Sequence, residues 1–212
     1  MTATQAQHAV TSIEQLREII STPAPDAPAM RKDIGVLDRH CQAFIEKSPF
    51  LLLSTSGPSG RCDVSPRGDG PGVVKVLDEH TLVVPDRPGN RRLDSLQNII
   101  ENPHAGLIFL VPNVDETLRV NGKAWLTRDP ELLEQMAMQG KVPQLGIVIE
   151  AQEVFFHCAR AFKRASLWKT DTWIERTELP TLGTILHDQL NPENLTAEQY
   201  DESLESSNRR LY

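Results

Sequence analysis

The sequence predicts a mainly β protein, an antiparallel barrel of about six strands with helices added at its edges. Two observations support this class. Apolar, strand-like stretches follow one another across short turns containing Gly, Pro or Asp, and the helical stretches are inserted between them rather than alternating with them. In addition, no Gly-x-Gly-x-x-Gly stretch opens a helix after the first strand, which argues against a Rossmann domain.

The first predicted element is a short helix over residues 12–20. Ser12 is a candidate N-cap, with Gln15 three positions later as in a capping box. Apolar residues recur at the spacing of one helical face: Ile13, Leu16, Ile19 and Ile20. We expect this face to pack against the rest of the protein.

A Pro- and Ala-rich stretch at residues 22–30 predicts a linker. Behind it, residues 37–47 again place apolar residues at helical spacing. Ser48 and Pro49 end this pattern, because a residue that precedes proline avoids the helical region. We expect this helix and the first one to cover the sheet or an end of the barrel.

Strand patterns begin at residue 50. Residues 50–56 predict a strand, residues 57–60 a turn, and residues 61–69 a second strand that leads away as in a hairpin. The glycines at positions 68, 70 and 72 suit a backbone that approaches a ligand and a plain connecting loop equally well. A second hairpin is predicted from residues 72–78 and 81–86.

The turn after this hairpin is the strongest candidate for a binding site. It holds five residues suited to anion binding or tight turning: Arg87, Gly89, Asn90, Arg91 and Arg92. A helical pattern follows at once, with Leu93, Leu96, Ile99 and Ile100 as its apolar positions. Unpaired N–H groups at a helix start, together with guanidinium groups, can bind a phosphate. Charge alone favours the alternative, an exposed basic turn, because short Lys/Arg clusters are usually solvated.

Further along, residues 105–111 are apolar enough for a central strand. Residues 118–127 alternate between an apolar face and a face with polar and cationic side chains. Residues 130–140 predict a helix, and residues 144–162 contain the last long strand pattern.

Two later stretches bear on assembly. Residues 163–173 combine Arg164 with Trp168 and Trp173, a composition that favours a subunit interface, with core packing as the alternative. From residue 191 the chain is polar and predicts a mobile tail or a loosely docked helix.

Composition disfavours several classes of protein. The chain has 212 residues, 39% hydrophobic residues and a net charge of −7, which suit a globular core and argue against a nucleic-acid binder. No apolar run approaches the ~20 residues that span a bilayer, and residues 1–8 lack a signal peptide's features, so we expect no membrane span and a cytoplasmic protein. The 3 separated cysteines and 6 scattered histidines predict neither a disulfide framework nor a structural metal site.

Four stretches together resemble a known family: SPRGD at 65–69, PDRPGNRRLDSLQNIIENP at 85–103, ETLRVNGKA at 116–124 and HCARAFKRASLW at 157–168. They are similar to the pyridoxamine 5′-phosphate oxidase-like, FMN-binding split-barrel superfamily, and within it to the branch of probable FMN-dependent proteins of unassigned substrate. The resemblance covers residues 50–173. It implies a six-stranded split barrel that forms a homodimer, with one FMN in each of two clefts between subunits.

The resemblance also suggests how the chain divides into domains. Residues 1–48 would form a helical extension, residues 49–173 the FMN-binding split-barrel domain, and residues 174–212 a second extension.

By position, the resemblance implies which residues hold the cofactor. Asn90, Arg91 and Arg92 would bind the FMN phosphate, with Ser95 as a hydroxyl donor on the same turn of the helix. This agrees with the anion site that the helix start predicts by itself.

Two further groups would contact the rest of the flavin. Ser65, Pro66 and Arg67 would run along the isoalloxazine ring and offer backbone groups to its pyrimidine edge. Pro85 and Asp86 would lie near the ribityl chain.

The last group would complete the cleft. Thr117 occupies the position where the oxidases have a glutamine that contacts the ring, while Arg119 and Asn121 would line the cleft. Arg164 and Trp168 would come from the partner subunit.

These residues imply an FMN-dependent oxidoreductase that transfers a hydride between FMN and a small, unidentified substrate, with NAD(P)H as a candidate reductant. Residues 174–212 lack the Arg-Leu-His context that binds substrate phosphate in pyridoxamine phosphate oxidases, so vitamin B6 oxidation is not implied. No catalytic acid or base stands out. Two alternatives remain: a flavin-binding module that stores, senses or carries the cofactor, and a split barrel that binds heme or a deazaflavin.

Overall fold

The structure, a computed structural model, describes residues 8–190, 193–209 and 211–212. Residues 1–7, which hold most of the polar stretch that lacks a signal peptide's features, lie outside the described residues. The chain forms two compact units, residues 1–34 and residues 35–212. The domain boundaries expected at residues 48 and 173 stay a prediction.

The first unit contains two short helices, α1 (Ile13–Ile19) and α2 (Pro28–Arg31). The Ser12 side chain accepts a hydrogen bond from the Gln15 N–H at 3.2 Å, as the predicted N-cap requires. No residue of α1 is buried, and the four apolar residues of its predicted face are exposed. The packing of this face against the rest of the protein stays a prediction. The predicted linker is also not wholly irregular, because α2 forms at its end.

The second unit begins with helix α3 (Arg39–Lys47). The Asp38 carboxylate accepts hydrogen bonds from two N–H groups of its first turn and caps it. Cys41 and Ile45 are buried, and burial raises the pKa of the Cys41 thiol to about 12. At the other end, the Ser48 hydroxyl donates to the Leu110 carbonyl at 2.7 Å and ties the helix to the sheet.

In the described part of the chain, seven strands form one sheet in the order β2-β1-β5-β6-β7-β4-β3, and every neighbouring pair is antiparallel. They are β1 (Phe50–Ser56), β2 (Cys62–Gly68), β3 (Lys75–Val76), β4 (Thr81–Pro85), β5 (His104–Leu110), β6 (Thr117–Thr127) and β7 (Gly146–His157). The mainly β, antiparallel class is therefore confirmed, with seven strands instead of six. The predicted strand at residues 72–78 is reduced to the two residues of β3.

The core lies on one face of this sheet and is covered by α3 and by helix α4 (Asp94–Glu101). The predicted alternation of β6 is confirmed, since Leu118 and Val120 are fully buried whereas Lys123 on the other face is exposed. The register of the β6–β7 pair shifts between Asn121 and Gly122. Their partners on β7 are Glu153 and Ala151, so the extra residue, Gln152, lies on β7. A Cβ on Gly122 would lie 1.9 Å from a carbonyl oxygen of β7, so only glycine fits there.

The helix predicted at residues 130–140 is shorter, because α5 ends after one turn (Pro130–Glu134). Beyond it, Met138 and Lys141 form an isolated β-bridge, and Gly140 adopts a φ of 72° that reverses the chain. Leu133 and Met136 are still buried and form a small second cluster of apolar residues.

In the described residues, three α-helices follow the sheet: α6 (Arg160–Ala165), α7 (Leu182–Leu190) and α8 (Ala197–Asn208). Of the tail predicted from residue 191, residues 191, 192 and 210 lie outside the described residues. Most of the remainder is helix α8, which agrees with a docked helix. The Gly183 N–H of α7 donates to the Asp201 carboxylate of α8 at 2.8 Å, so the two helices form a hairpin. No helix in the described part of the chain is long and apolar enough to cross a membrane.

Candidate functional site

The two ends of the sheet meet through two partly buried ion pairs. Arg67 on β2 donates to the Asp86 carboxylate after β4 at 2.7 Å, and Arg87 donates to the Asp69 carboxylate after β2 at 2.6 Å. Arg87 also donates to the Met136 carbonyl at 2.8 Å. These four ionic residues are called the β2–β4 junction below. They hold together strands from opposite ends of the sheet, as closure into a barrel requires.

A chain of hydrogen bonds extends from this junction to α4. Arg67 Nε donates to Ser65 Oγ at 3.3 Å, Ser65 and Ser95 share a hydrogen bond at 3.0 Å, and Ser95 donates to the Asp63 carboxylate at 2.6 Å. Because Ser95 uses its proton on Asp63, Ser65 is the donor in the middle bond. Four of the expected site residues thus lie in one polar network: Ser65, Arg67, Asp86 and Ser95.

The turn before α4 has an unusual backbone. Arg91 and Leu93 both adopt left-handed conformations, with φ of 59° and 63°. Such a conformation costs a non-glycine residue about 1–2 kcal/mol, and it persists only where the surroundings impose it. Leu93 is the N-cap of α4 and gives it no side-chain hydrogen bond. The first N–H groups of α4 are therefore free of a side-chain cap and form a site suited to an anion.

Residues 90–94, called the Arg91 turn below, also place cations at this site. Arg91 and Arg92 are exposed, and Arg92 Nε donates to the Asp94 carboxylate at 2.8 Å. This hydrogen bond holds the pKa of Asp94 below its ordinary value and raises the pKa of Arg92. The Asn90 side chain accepts from the Arg92 N–H at 3.0 Å and fixes the turn. Free N–H groups and two exposed guanidiniums fit a phosphate group.

A polar cleft of about 290 Å³ opens beside this turn, between α4 and the loop that joins β1 to β2. Its lining includes five charged residues: Arg61, Asp63, Arg92, Asp94 and Glu101. The cleft therefore reaches from the Arg91 turn to the Asp63 end of the serine network.

Thr117, Arg119 and Asn121 lie along β6, away from the junction. Thr117 is buried, and the Arg119 guanidinium lies 4.9 Å from the centre of the Phe155 ring. Arg119 Nε is buried without a hydrogen-bond partner among the described residues. Asn121 donates to the Glu153 carboxylate at 2.7 Å and lines a separate open cleft of about 580 Å³. The structure does not join these three residues to the serine network through any hydrogen bond between described residues.

The other expected residues occupy mixed environments. Pro66 is exposed on β2, and Pro85 is buried at the end of β4. Arg164 is exposed on α6, whereas the Trp168 indole donates to the Val114 carbonyl at 2.9 Å and packs within its own chain.

Sequence reasoning did not assign a site role to Asp63, Asp69 or Tyr212, and it named Arg87 only as part of the basic turn. Asp69 and Arg87 belong to stretches that drew attention, but their pairing across 18 positions is not visible in the sequence. Tyr212, whose phenol donates to Asp69, carries no sequence signal at all. Among the described residues, no group of three or more His, Cys, Asp or Glu side chains could hold a metal ion.

The family profile of pyridoxamine 5′-phosphate oxidase matches residues 37–158. No curated protein matches the chain significantly. Three solved structures are similar in part. HupZ from Group A Streptococcus is 15% identical, with 56% of this chain and 91% of that chain covered and a TM-score of 0.46. A putative pyridoxamine 5′-phosphate oxidase from Lactobacillus delbrueckii is 19% identical, with 58% and 98% covered and a TM-score of 0.46.

An FMN-binding protein from Syntrophomonas wolfei is 13% identical, with 57% of this chain and 91% of that chain covered and a TM-score of 0.41. No further conclusion rests on structural similarities this distant. The family profile, in contrast, covers more than half of the chain, from α3 to the end of β7. The chain therefore belongs to the pyridoxamine 5′-phosphate oxidase family.

Proposed function

We propose that the protein is an FMN-dependent oxidoreductase that works as a homodimer and transfers a hydride between FMN and a small substrate. The observation that carries this proposal is the Arg91 turn, where an uncapped helix start meets two exposed guanidiniums beside the serine network. Membership of the pyridoxamine 5′-phosphate oxidase family supports the choice of a flavin as the ligand.

The FMN phosphate would bind at the Arg91 turn. The first N–H groups of α4 supply donors along the positive end of the helix dipole. Arg91 and Arg92 supply charge-assisted hydrogen bonds, which Arg makes in pairs to a phosphate. Arg92 would exchange its exposed partner Asp94 for the phosphate, a change that costs little because exposed ion pairs are weak. Asn90 keeps the turn in shape.

The isoalloxazine ring would lie along β2. This strand is at the edge of the sheet, and among the described strands it pairs with β1 alone, so backbone groups on its other side can bond a ligand. Ser65, Pro66 and Arg67 form its middle and end. Arg67 is held by Asp86 at 2.7 Å, which keeps a cation beside the ring, and Pro85 and Asp86 would lie near the ribityl chain.

FMN supplies the chemistry of hydride acceptance, and the protein's task is to bind and orient the ring and its substrate. Arg67 can stabilise negative charge on the ring, because its guanidinium is fixed and mostly buried. No protein nucleophile is needed for this class of reaction.

The second subunit would complete the cleft. Arg119 has a buried Nε without a described partner, and such an unsatisfied donor is costly unless another group reaches it. Thr117, Arg119 and Asn121 would line the cleft, and Arg164 and Trp168 of the other subunit would close it. NAD(P)H is the candidate reductant for the bound flavin.

The first experiment is a visible absorption spectrum of the purified protein, with chromatography of any released cofactor. We expect about one FMN per chain and reduction of the flavin by NAD(P)H followed by reoxidation. Bound FMN without turnover would support a storage, sensor or carrier module instead. A heme or deazaflavin spectrum would overturn the assignment of the cofactor.

The second experiment replaces Arg91 and Arg92 by glutamate in one protein. The double substitution should abolish FMN retention and leave the folded dimer intact, because it puts repulsive charges at the phosphate. The matched control replaces two exposed arginines elsewhere, Arg128 and Arg160, by glutamate. Stoichiometric FMN in the Arg91→Glu, Arg92→Glu protein would overturn the phosphate site.

A further inference from the structure

Tyr212 contacts the β2–β4 junction although it lies 143 positions from Asp69 in the sequence. Its phenol donates to Asp69 Oδ1 at 2.5 Å, and the Arg87 guanidinium lies 5.7 Å from the centre of its ring. Asp69 also accepts from Gly70 N–H at 2.7 Å and from Arg87 Nε at 2.6 Å. Tyr212 therefore supplies the third donor to a carboxylate whose side chain is only 2% exposed.

The hydrogen bond from Tyr212 to Asp69 also links a long segment, residues 174–212, to the β2–β4 junction. Residues 174–212 contain the hairpin of α7 and α8, whose polar contacts are internal, such as the bond from Gly183 to Asp201. Among the described residues, no other hydrogen bond or ion pair joins this segment to the strands of the sheet. The loss of one hydroxyl would thus remove the hydrogen bond that links this segment to the junction.

The junction lies directly beside residues that the proposed function assigns to FMN. Asp86 and Arg87 are consecutive, and Asp69 directly follows β2, two positions after Arg67. A movement of the Asp69–Arg87 pair would therefore move the Arg67–Asp86 pair, because the two pairs share the same short pieces of backbone.

We propose that Tyr212 is a positioning residue for the flavin site, which acts through Asp69 to keep the β2–β4 junction closed and so slows the release of FMN. The inference rests on the proposed function. The state of the phenol agrees with this role: its hydrogen bond to Asp69 raises the pKa of Tyr212, so the hydroxyl remains a donor at neutral pH.

The test compares Tyr212→Phe with Tyr200→Phe in the full-length protein loaded with FMN. The first substitution removes one hydroxyl and keeps the ring over Arg87. Tyr200 lies on α8, and its phenol makes no hydrogen bond to any described residue, so it is a matched control. Tyr212→Phe should release FMN roughly tenfold faster, as expected for loss of a hydrogen bond to a charged group. An unchanged release rate would overturn the inference.

A double substitution separates positioning from a general loss of stability. If Tyr212 acts through Asp69, adding Tyr212→Phe to Asp69→Asn should change the release rate no further, whereas independent effects would multiply. The visible absorption bands of the bound flavin should shift in the same way in both single variants. Multiplied rates would contradict action through Asp69.

If the wild-type protein binds no FMN, the proposed function is overturned. The role of Tyr212 at the junction can still be tested by hydrogen–deuterium exchange. The Gly70 N–H donates to the same carboxylate as Tyr212. In Tyr212→Phe, peptides that contain Gly70 should exchange faster than in wild-type or Tyr200→Phe protein. Unchanged exchange would overturn the attachment of the segment to the junction.

Discussion

Two neighbouring regions of this molecule use arginine in opposite ways. At the β2–β4 junction, both guanidiniums pair with carboxylates at 2.7 and 2.6 Å, and no side chain of the four is more than 24% exposed. In the Arg91 turn, both arginines are exposed, and the Arg92 side chain retains 69% of its accessible surface although it pairs with Asp94. The backbone differs as well, since two of the five residues of the turn have positive φ.

The difference indicates which arginines are free to bind a ligand. A buried pair with short hydrogen bonds is costly to break, because the remaining charge would be left without a partner. An exposed pair contributes little and can exchange its carboxylate for another anion. The junction therefore shapes the site, and the Arg91 turn can bind the phosphate. Three predictions test this comparison, from the largest expected effect to the smallest.

The largest effect should come from Asp69→Ala at the junction. This substitution leaves the mostly buried Arg87 without its carboxylate, and we expect it to lower the free energy of unfolding by about 3–5 kcal/mol. The matched substitution in the turn, Asp94→Ala, should lower it far less, because that pair is exposed. Urea denaturation of both variants measures the difference. Equal losses would mean that the two regions do not differ in the way described.

The Asp69–Arg87 pair should also make the stability of the protein depend on pH in acid, an effect smaller than that of Asp69→Ala. Burial raises the pKa of Asp69, but hydrogen bonds from Tyr212, Gly70 and Arg87, with the charge of Arg87, outweigh burial and hold it below its ordinary value. A carboxyl with a lowered pKa stabilises the protein above the unfolded value of about 3.9, and this contribution is lost as pH falls through the folded value. Stability should therefore fall as pH drops below about 4.

The control for the acid effect uses salt and two asparagine variants. Asp94 also has a lowered pKa, caused first by its hydrogen bond to Arg92, but this exposed pair is screened by salt of about 1 M. In high salt, the free energy of unfolding measured with urea should fall less in acid for Asp69→Asn than for the wild-type protein. For Asp94→Asn it should fall as much as for the wild-type protein. If Asp69→Asn loses as much stability in acid as the wild-type protein, the loss comes from other carboxyl groups.

Most of the fold was predictable because its signals are local. The hairpin of β1 and β2 shows its two strands and its Gly-Pro-Ser-Gly turn within a few residues, and the Ser12 cap lies next to the helix that it starts. The errors arose where tertiary contacts decide. A two-residue β3 replaced a longer strand pattern, and α5 ended early because the chain reverses at Gly140.

The candidate site was predictable in part for the same reason. The Arg91 turn is one continuous stretch, so its residue types by themselves indicate an anion site. The junction joins Asp69 to Arg87 and to Tyr212, and such long-range pairs leave no pattern in one sequence. The left-handed φ of Arg91 and Leu93 was also invisible, because glycine or asparagine would ordinarily signal it.

The smallest effect should come from relieving the backbone of the Arg91 turn. Glycine adopts a left-handed φ without strain, so Arg91→Gly and Leu93→Gly should each raise the free energy of unfolding by about 0.5–1 kcal/mol, after the entropy cost of glycine. Leu93 is 49% exposed, so its substitution removes little buried surface. Only Arg91→Gly removes a guanidinium and should weaken FMN binding, by roughly tenfold.

Thermal unfolding and FMN titration of the two glycine variants together decide whether strain and charge are separate properties of this turn. Leu93→Gly is the control for Arg91→Gly, because it relieves the same kind of strain two positions away and keeps both cations. If both variants gain stability and only Arg91→Gly loses affinity for FMN, the turn tolerates a strained arginine because that arginine binds FMN. If neither variant gains stability, the strain is absent, and the contrast with the junction rests on exposure and charge alone.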